Sequence, residues 1–167
     1  MIRPRMLDVR HGCLLATLAG ILSGAQAAES GGGFVCPVVK APVPAFIPPA
    51  PFKPNKVDGN FFYGGPGLWA LVTPHWDKFR ANKLVYFRQG FDATAEPEPR
   101  MVVVARRLDA QAPLIWADRV GSVHMGPEGD FMNTAIPGLV PGCWEITARY
   151  FPSRNGVQTL SYTIQLD

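Results

Sequence analysis

The chain has 167 residues, of which 16 are Lys or Arg and 13 Asp or Glu, for a formal net charge of +3. That near-balance excludes the strongly basic surface that nucleic acid or anionic lipid requires. Seventeen prolines and 17 glycines argue against long helices, since both residues break them.

Residues 1–27 read as a secretory leader. Arg3, Arg5 and Arg10 give a positive start, Cys13–Leu22 run almost wholly apolar, and Ser23-Gly24-Ala25-Gln26-Ala27 offers the small residues of a cleavage site. The ten-residue apolar run is too short to cross a hydrocarbon core of ~30 Å. No later segment is apolar for long enough, so no transmembrane segment is expected in the mature protein. Cleavage after Ala27 leaves 140 residues, one domain's worth. It also leaves 13 basic and 12 acidic residues, a net charge of about +1. The expected location is the periplasm or the exterior.

Residues 28–57 read as a proline-rich extended arm. Seven prolines fall between Pro37 and Pro54, which rules out a helix or a central strand. Val38, Val39, Phe46, Ile47 and Phe52 are expected to lay this arm against the domain that follows. Two cysteines survive maturation, Cys36 and Cys143. An even pair in an oxidising compartment points to one disulfide, with two separate buried thiols as the rival.

From residue 58 to 167 short apolar runs alternate with Gly, Pro, Asn and Asp, the punctuation of a β-protein. Strands are predicted at Phe61–Tyr63, Leu68–Val72, Lys83–Arg88, Arg100–Leu108, Ile115–Ala117, Ser122–His124, Asp130–Ile136, Cys143–Phe151 and Thr159–Leu166. The last two alternate strictly: Trp144, Ile146, Ala148 and Tyr150 share one face, as do Leu160, Tyr162, Ile164 and Leu166. Asn155-Gly156 between them is a hairpin signal. Met101–Ala105, apolar at every position, suits a strand covered on both faces. Residues 75–82 could form one helical turn. Short, uneven strands with dense turns predict an all-β antiparallel sandwich in preference to a barrel.

Pro141-Gly142-Cys143-Trp144-Glu145-Ile146-Thr147, followed by Tyr150 and an alternating last strand, resembles the C-terminal end of a group of uncharacterised secreted bacterial proteins. Cys36-Pro37-Val38, the Tyr63–Trp69 segment and Ala105-Arg106-Arg107-Leu108-Asp109 are similar to that group as well. The resemblance implies an immunoglobulin-like sandwich and favours the Cys36–Cys143 bridge. It carries no catalytic residues.

The chemistry-bearing residues are sparse. Ser122 and His124 lie two apart on one strand, without a nucleophile elbow and without the mutual hydrogen bond a dyad needs. His75, Asp77, Asp118 and His124 are the only candidates for a metal set, and their spacing is ordinary. Glu96 and Glu98, in Glu96-Pro97-Glu98-Pro99, read as a solvated turn and not as a glycosidase pair. Gly64-Gly65-Pro66-Gly67 leads into a strand, so it is a hairpin and not a phosphate loop. No catalytic residue, metal ligand or cofactor is assigned. Aromatic side chains crowd residues 61–91, and most are expected in the core. Phe62, Trp76 and Phe91 flank turns and are the candidates for exposed binding rings. The expected function is that of an exported, non-enzymatic interaction or structural module whose partner is an envelope protein or a glycan. The alternative is a carbohydrate- or peptide-binding accessory domain using those rings, with a small hydrolase behind it.

Overall fold

The computed structural model describes residues 33–53, 59–73, 76, 83–126, 129–152 and 156–167. The leader, the 75–82 turn apart from Trp76 (His75 and Asp77 included), and Asn155 lie outside them. The unit Phe34–Asp167 contains every strand.

Among the described residues nine strands form: β1 (Phe61–Gly65), β2 (Leu68–Val72), β3 (Leu84–Phe87), β4 (Met101–Arg107), β5 (Ile115–Ala117), β6 (Ser122–His124), β7 (Phe131–Thr134), β8 (Gly142–Tyr150) and β9 (Gln158–Leu166). Every expected strand is present, with ends shifted by at most two residues. They build two antiparallel sheets, ordered β1-β2-β3-β7-β6 and β5-β4-β8-β9, which face each other as a sandwich. Among the described residues no helix is long and apolar enough to cross a membrane.

The alternating strands behave as their sequences require. Trp144, Ile146, Ala148 and Tyr150 are buried, and so are Leu160, Tyr162, Ile164 and Leu166 opposite them in the nine-residue β8–β9 ladder. The inner core closes when Leu68, Ala70, Val72, Tyr86 and Met132 of the other sheet pack against these rows and against Met101 and Val103. Tyr86 and Tyr162 meet across it with their hydroxyls 3.1 Å apart, which satisfies two groups that burial would otherwise strand. The β1–β2 hairpin turns at Pro66-Gly67, with Gly65 paired to Leu68. Gly64 sits at φ +130°, where a Cβ would lie 2.5 Å from the Leu68 carbonyl oxygen, so only glycine fits.

β4 corrects the expectation for Met101–Ala105. Met101, Val103 and Ala105 are buried, but Val102 and Val104 on the opposite face are only half-buried. The strand is central in its sheet yet covered on one face, and its β-branched outer residues owe their place to strand preference and not to a second layer.

Residues 33–53 carry neither helix nor strand. Cys36 is bonded to Cys143 on β8, with their Cα atoms 5.6 Å apart. The Val39 N–H donates to the Thr163 carbonyl on β9 at 2.9 Å, so this segment lies along an edge that would otherwise be unpaired. Farther on, Phe46 and Phe52 set their ring edges against Trp69, at centroid distances of 5.9 and 5.1 Å, and Phe52 also meets Phe87. They close a second cluster, Phe62, Trp69 and Phe87, on the outer face of the first sheet. Ile47 departs from expectation: it is 72% exposed, and Pro48 takes the buried position beside it.

Candidate functional site: a cleft at one end of the sandwich

Three connections converge at one end of the molecule: β3–β4, β5–β6 and β8–β9. The first is shaped by acidic side chains. Asp92 Oδ1 accepts the backbone N–H groups of Thr94 and Ala95 at 2.8 and 3.1 Å, and Asp130 Oδ2 accepts that of Ala93 at 2.8 Å. Such bonds let short carboxylates replace a regular ladder in a turn.

Glu96 is the anchor of this connection, which corrects its reading as part of a solvated turn. The Tyr150 hydroxyl donates to its carboxylate, 2.5 and 2.6 Å from the two oxygens, and Arg88 pairs with it at 3.2 Å. The Arg88 guanidinium also lies 5.0 Å from the Tyr150 ring centre and 5.9 Å from that of Phe91. Burial pushes the Tyr150 phenol well above its ordinary range, and the bond to Glu96 adds to the shift. The hydroxyl is thus a fixed donor at neutral pH.

Beyond this floor the Phe151 N–H bonds to the Arg100 carbonyl at 2.9 Å, and the Arg100 side chain reaches back over the Phe151 ring at 5.9 Å. The β5–β6 connection is tied down by Thr134, whose hydroxyl donates to the Arg119 carbonyl at 3.1 Å, and by the Gly121 N–H on Asn133. Between these walls opens a cleft of about 760 Å³. Pro99, Val102, Val120 and Val123 give it apolar surface, and Glu98, Arg100, Asp118 and Arg119 give it charge. A second opening of about 670 Å³ shares Glu98, Arg100 and Phe151 with the first and continues past Pro152 and Val157. Both volumes fall in the range of ligand sites, ~300–1,000 Å³. The chemistry on offer is recognition: carboxylates, guanidiniums and one half-buried ring held on well-bonded loops.

The residues singled out in the sequence lie elsewhere. Phe62, Trp76 and Phe91 are buried at 8%, 3% and 7% exposure, so the expectation of exposed rings is overturned. Phe62 packs edge-on to Phe87 in the outer cluster, Trp76 bridges to Leu166 at the end of β9, and Phe91 belongs to the inner core. Each flanks a turn, but neighbours distant in sequence cover it. Cys36 and Cys143 are joined as expected.

Ser122 and His124 do share a hydrogen bond, 3.0 Å between Oγ and Nε2, contrary to expectation. Both are exposed, and the imidazole stacks on Phe131 at 4.9 Å. Among the described residues no carboxylate bonds its other nitrogen, and none form a group of three or more metal-ligating side chains.

Sequence reasoning missed Trp116, which is 57% exposed on β5, and the junction of Arg100 with Phe151. A single tryptophan in a three-residue strand behind Pro113 was the available signal for the first. The second joins residues 51 apart and leaves no local trace. Compared with protein-family models, curated proteins and solved structures, the chain gives no match.

Proposed function

We propose that this protein is an exported, non-enzymatic interaction module with an immunoglobulin-like arrangement, whose binding end is the cleft between the β3–β4, β5–β6 and β8–β9 connections. The observation that carries the reading is this convergence of loops over an open, charged cleft on a rigid sandwich. Strand order supports the arrangement. β2-β3-β7-β6 and β5-β4-β8-β9 follow the orders A-B-E-D and C′-C-F-G, with β1 added outside. In that scheme β3–β4 and β8–β9 are the B–C and F–G loops, which carry recognition in variable domains. The chain departs from antibody domains in its bridge, which ties β8 to the segment before β1 and does not cross between sheets.

Export is supported by the leader pattern and by the disulfide, which persists in oxidising compartments. Kinship with the secreted group belongs to the same proposal. The partner is an envelope protein or a glycan. A glycan reading built on Phe62, Trp76 and Phe91 has lost its rings to burial, which favours a protein partner.

Site-specific photo-crosslinking in the producing cell tests the reading. A photoreactive residue at Glu98 or Arg119 should give a discrete adduct that excess unlabelled protein competes away. The same probe at Val140, exposed in the β7–β8 connection at the opposite end, should give none. Equal labelling at both ends, or none at the cleft, would defeat it. N-terminal sequencing of the exported protein should read from Ala28, and an intact Met1 would remove the compartment.

A further inference from the structure

β5 is one edge of the second sheet, and the direction of its backbone groups follows from the ladder beside it. The Phe151 N–H donates to the Arg100 carbonyl and the Leu108 N–H to the Cys143 carbonyl, both at 2.9 Å, at the two ends of the β4–β8 pairing. Even-numbered β4 residues therefore aim their backbone groups at β8, and odd-numbered ones aim theirs at β5. Val103–Ala117 and Ala105–Ile115 are then the hydrogen-bonded pairs of β4 and β5. Trp116, opposite Val104, turns its N–H and C=O away from β4, to the side where the sheet has no further strand among the described residues.

The side chains there are apolar and uncovered. Trp116 is 57% exposed, and Leu114 just before it is 46% exposed. Free backbone groups beside large apolar side chains are the combination that sheet proteins ordinarily suppress by charge, proline or a cover. The opposite edge of this sheet has its cover: Val39 bonds to Thr163, and Trp76 bridges to Leu166. Among the described residues β5 has none.

We infer that β5 takes up an extended segment of a partner protein as an added strand, with a basic side chain of that segment opposite Asp118. The inference rests on the reading of the domain as an interaction module. Charge selects the occupant. Asp118 is exposed and forms no ion pair among the described residues. A strand bonded to Trp116 meets Asp118 next along the same outward row. A second copy of this chain, paired antiparallel through its own outward row, places Ala112, Leu114, Trp116 or Asp118 opposite Asp118. None is a cation, and one repels. A foreign strand carrying Lys or Arg supplies what a copy lacks, and strand addition of this kind draws affinity from the main chain and specificity from alternate side chains.

The probe is a phage-displayed library of random nonapeptides, panned on the purified, disulfide-bonded protein. Enriched sequences should alternate apolar residues and hold Lys or Arg at one fixed position. A synthetic peptide of that sequence should shift the Trp116 amide resonance. Methylating the peptide nitrogen that faces Trp116 should weaken binding roughly tenfold or more, as expected for lost main-chain hydrogen bonds. Trp116→Pro removes the indole and an outward N–H but no hydrogen bond to β4, and should abolish binding, while Trp116→Thr, which loses the same indole but keeps that N–H, should retain part of it. Asp118→Lys should switch the fixed position from basic to acidic. No enriched sequence, or an N-methylated peptide that binds as well as its parent, overturns the inference. A dimer in sedimentation that Trp116→Pro abolishes would give the edge to a second copy and overturn it too. Peptides that bind in the loop-end cleft regardless of Trp116→Pro would leave the module reading standing and sink the assignment to β5.

Discussion

The inner face of β2 buries Leu68, Ala70 and Val72 against strands of the other sheet, whereas its outer face buries Trp69 under Phe46 and Phe52. The inner core draws its partners from strands fixed by ladder hydrogen bonds. The outer cluster depends on a segment without regular structure, whose ties include the disulfide, the Val39–Thr163 hydrogen bond and edge-on ring contacts. Two tryptophans display the contrast. Trp144, in the inner core, donates its indole N–H to the Val140 carbonyl at 2.9 Å, and the Arg107 guanidinium lies 5.7 Å from its ring centre. Trp69 is equally buried, yet its indole N–H has no partner among the described residues. On the inner side Trp144 has a partner for its indole N–H, although Trp76 in the same core has none among the described residues, and on the outer side apolar area compensates for the orphaned donor of Trp69.

The largest effect should come from the inner side. Trp144→Ala removes a buried ring and its hydrogen bond, at a cost of about 3–5 kcal/mol. Against a typical domain stability of about 5–15 kcal/mol this leaves little folded protein. A melting temperature unchanged by circular dichroism would show that the inner core does not depend on this ring.

Reducing the Cys36–Cys143 bridge should cost about 2–5 kcal/mol, because it releases a loop that spans 107 residues. Here the two cores should part company. Hydrogen exchange after reduction should rise first at Val39 and Phe52 and only later in β8. Simultaneous loss would mean that the cores form one cooperative unit.

Alkaline pH should attack the inner core selectively. Tyr86 and Tyr162 are both pushed upward from the ordinary phenol value of 10, chiefly by burial, and Tyr150 is raised for the same leading reason. The protonated form is favoured in the folded state, so their contribution is complete below pH 10 and is lost as pH rises towards the folded-state values. Stability should fall above pH 10 with a slope of up to about 1.4 kcal/mol per pH unit for each tyrosine. Double substitution Tyr86→Phe with Tyr162→Phe should flatten the alkaline limb. An unchanged limb would place the titrating groups elsewhere.

On the outer side, Gly129→Ala should be milder. A Cβ at Gly129 would lie 2.2 Å from a ring carbon of Phe52, and the residue sits at φ +116°. The strained backbone and displaced ring should cost about 1–3 kcal/mol, with Trp69 becoming accessible to a fluorescence quencher. Wild-type quenching would show that the ring moves aside without opening the cluster. Smallest of all should be Trp69→Phe, which loses apolar area but deletes the orphaned N–H. A shift within about 1.5 kcal/mol is expected, and a loss as large as that of Trp144→Ala would erase the distinction between the cores.

Much of the inner core was legible because strand alternation is a local signal. Trp144 to Tyr150 and Leu160 to Leu166 declare their buried faces every second residue. The outer cluster was not, because nothing near Phe62 announces that residues 46–52 return to cover it. Its position beside a turn argued for exposure, and a long-range cover reversed that. Ile47 and Pro48 were exchanged for a related reason: in an irregular segment no period fixes which side chain faces inward. Glu96 shows the same limit for charge. Pro97 and Pro99 after it make it look solvated, and Tyr150, 54 residues away, makes it an anchor together with Arg88. The loop-end cleft is assembled from three connections distant in sequence, so no motif could mark it.

The bridge has a mechanical consequence. Cys36 precedes β1, and Cys143 is the second residue of β8, so tension applied to the two chain ends crosses directly from one cysteine to the other. The seven strands from β1 to β7 drop out of the load path altogether. What carries the load is the β8–β9 hairpin, and it carries it from its open end, where Cys143 pairs with Gln165 beside the C-terminus. Pulled there, the hairpin opens one residue pair after another, while the covalent loop keeps the rest of the chain from extending. Under force, β9 is a zipper, and everything from the first strand to the seventh is slack.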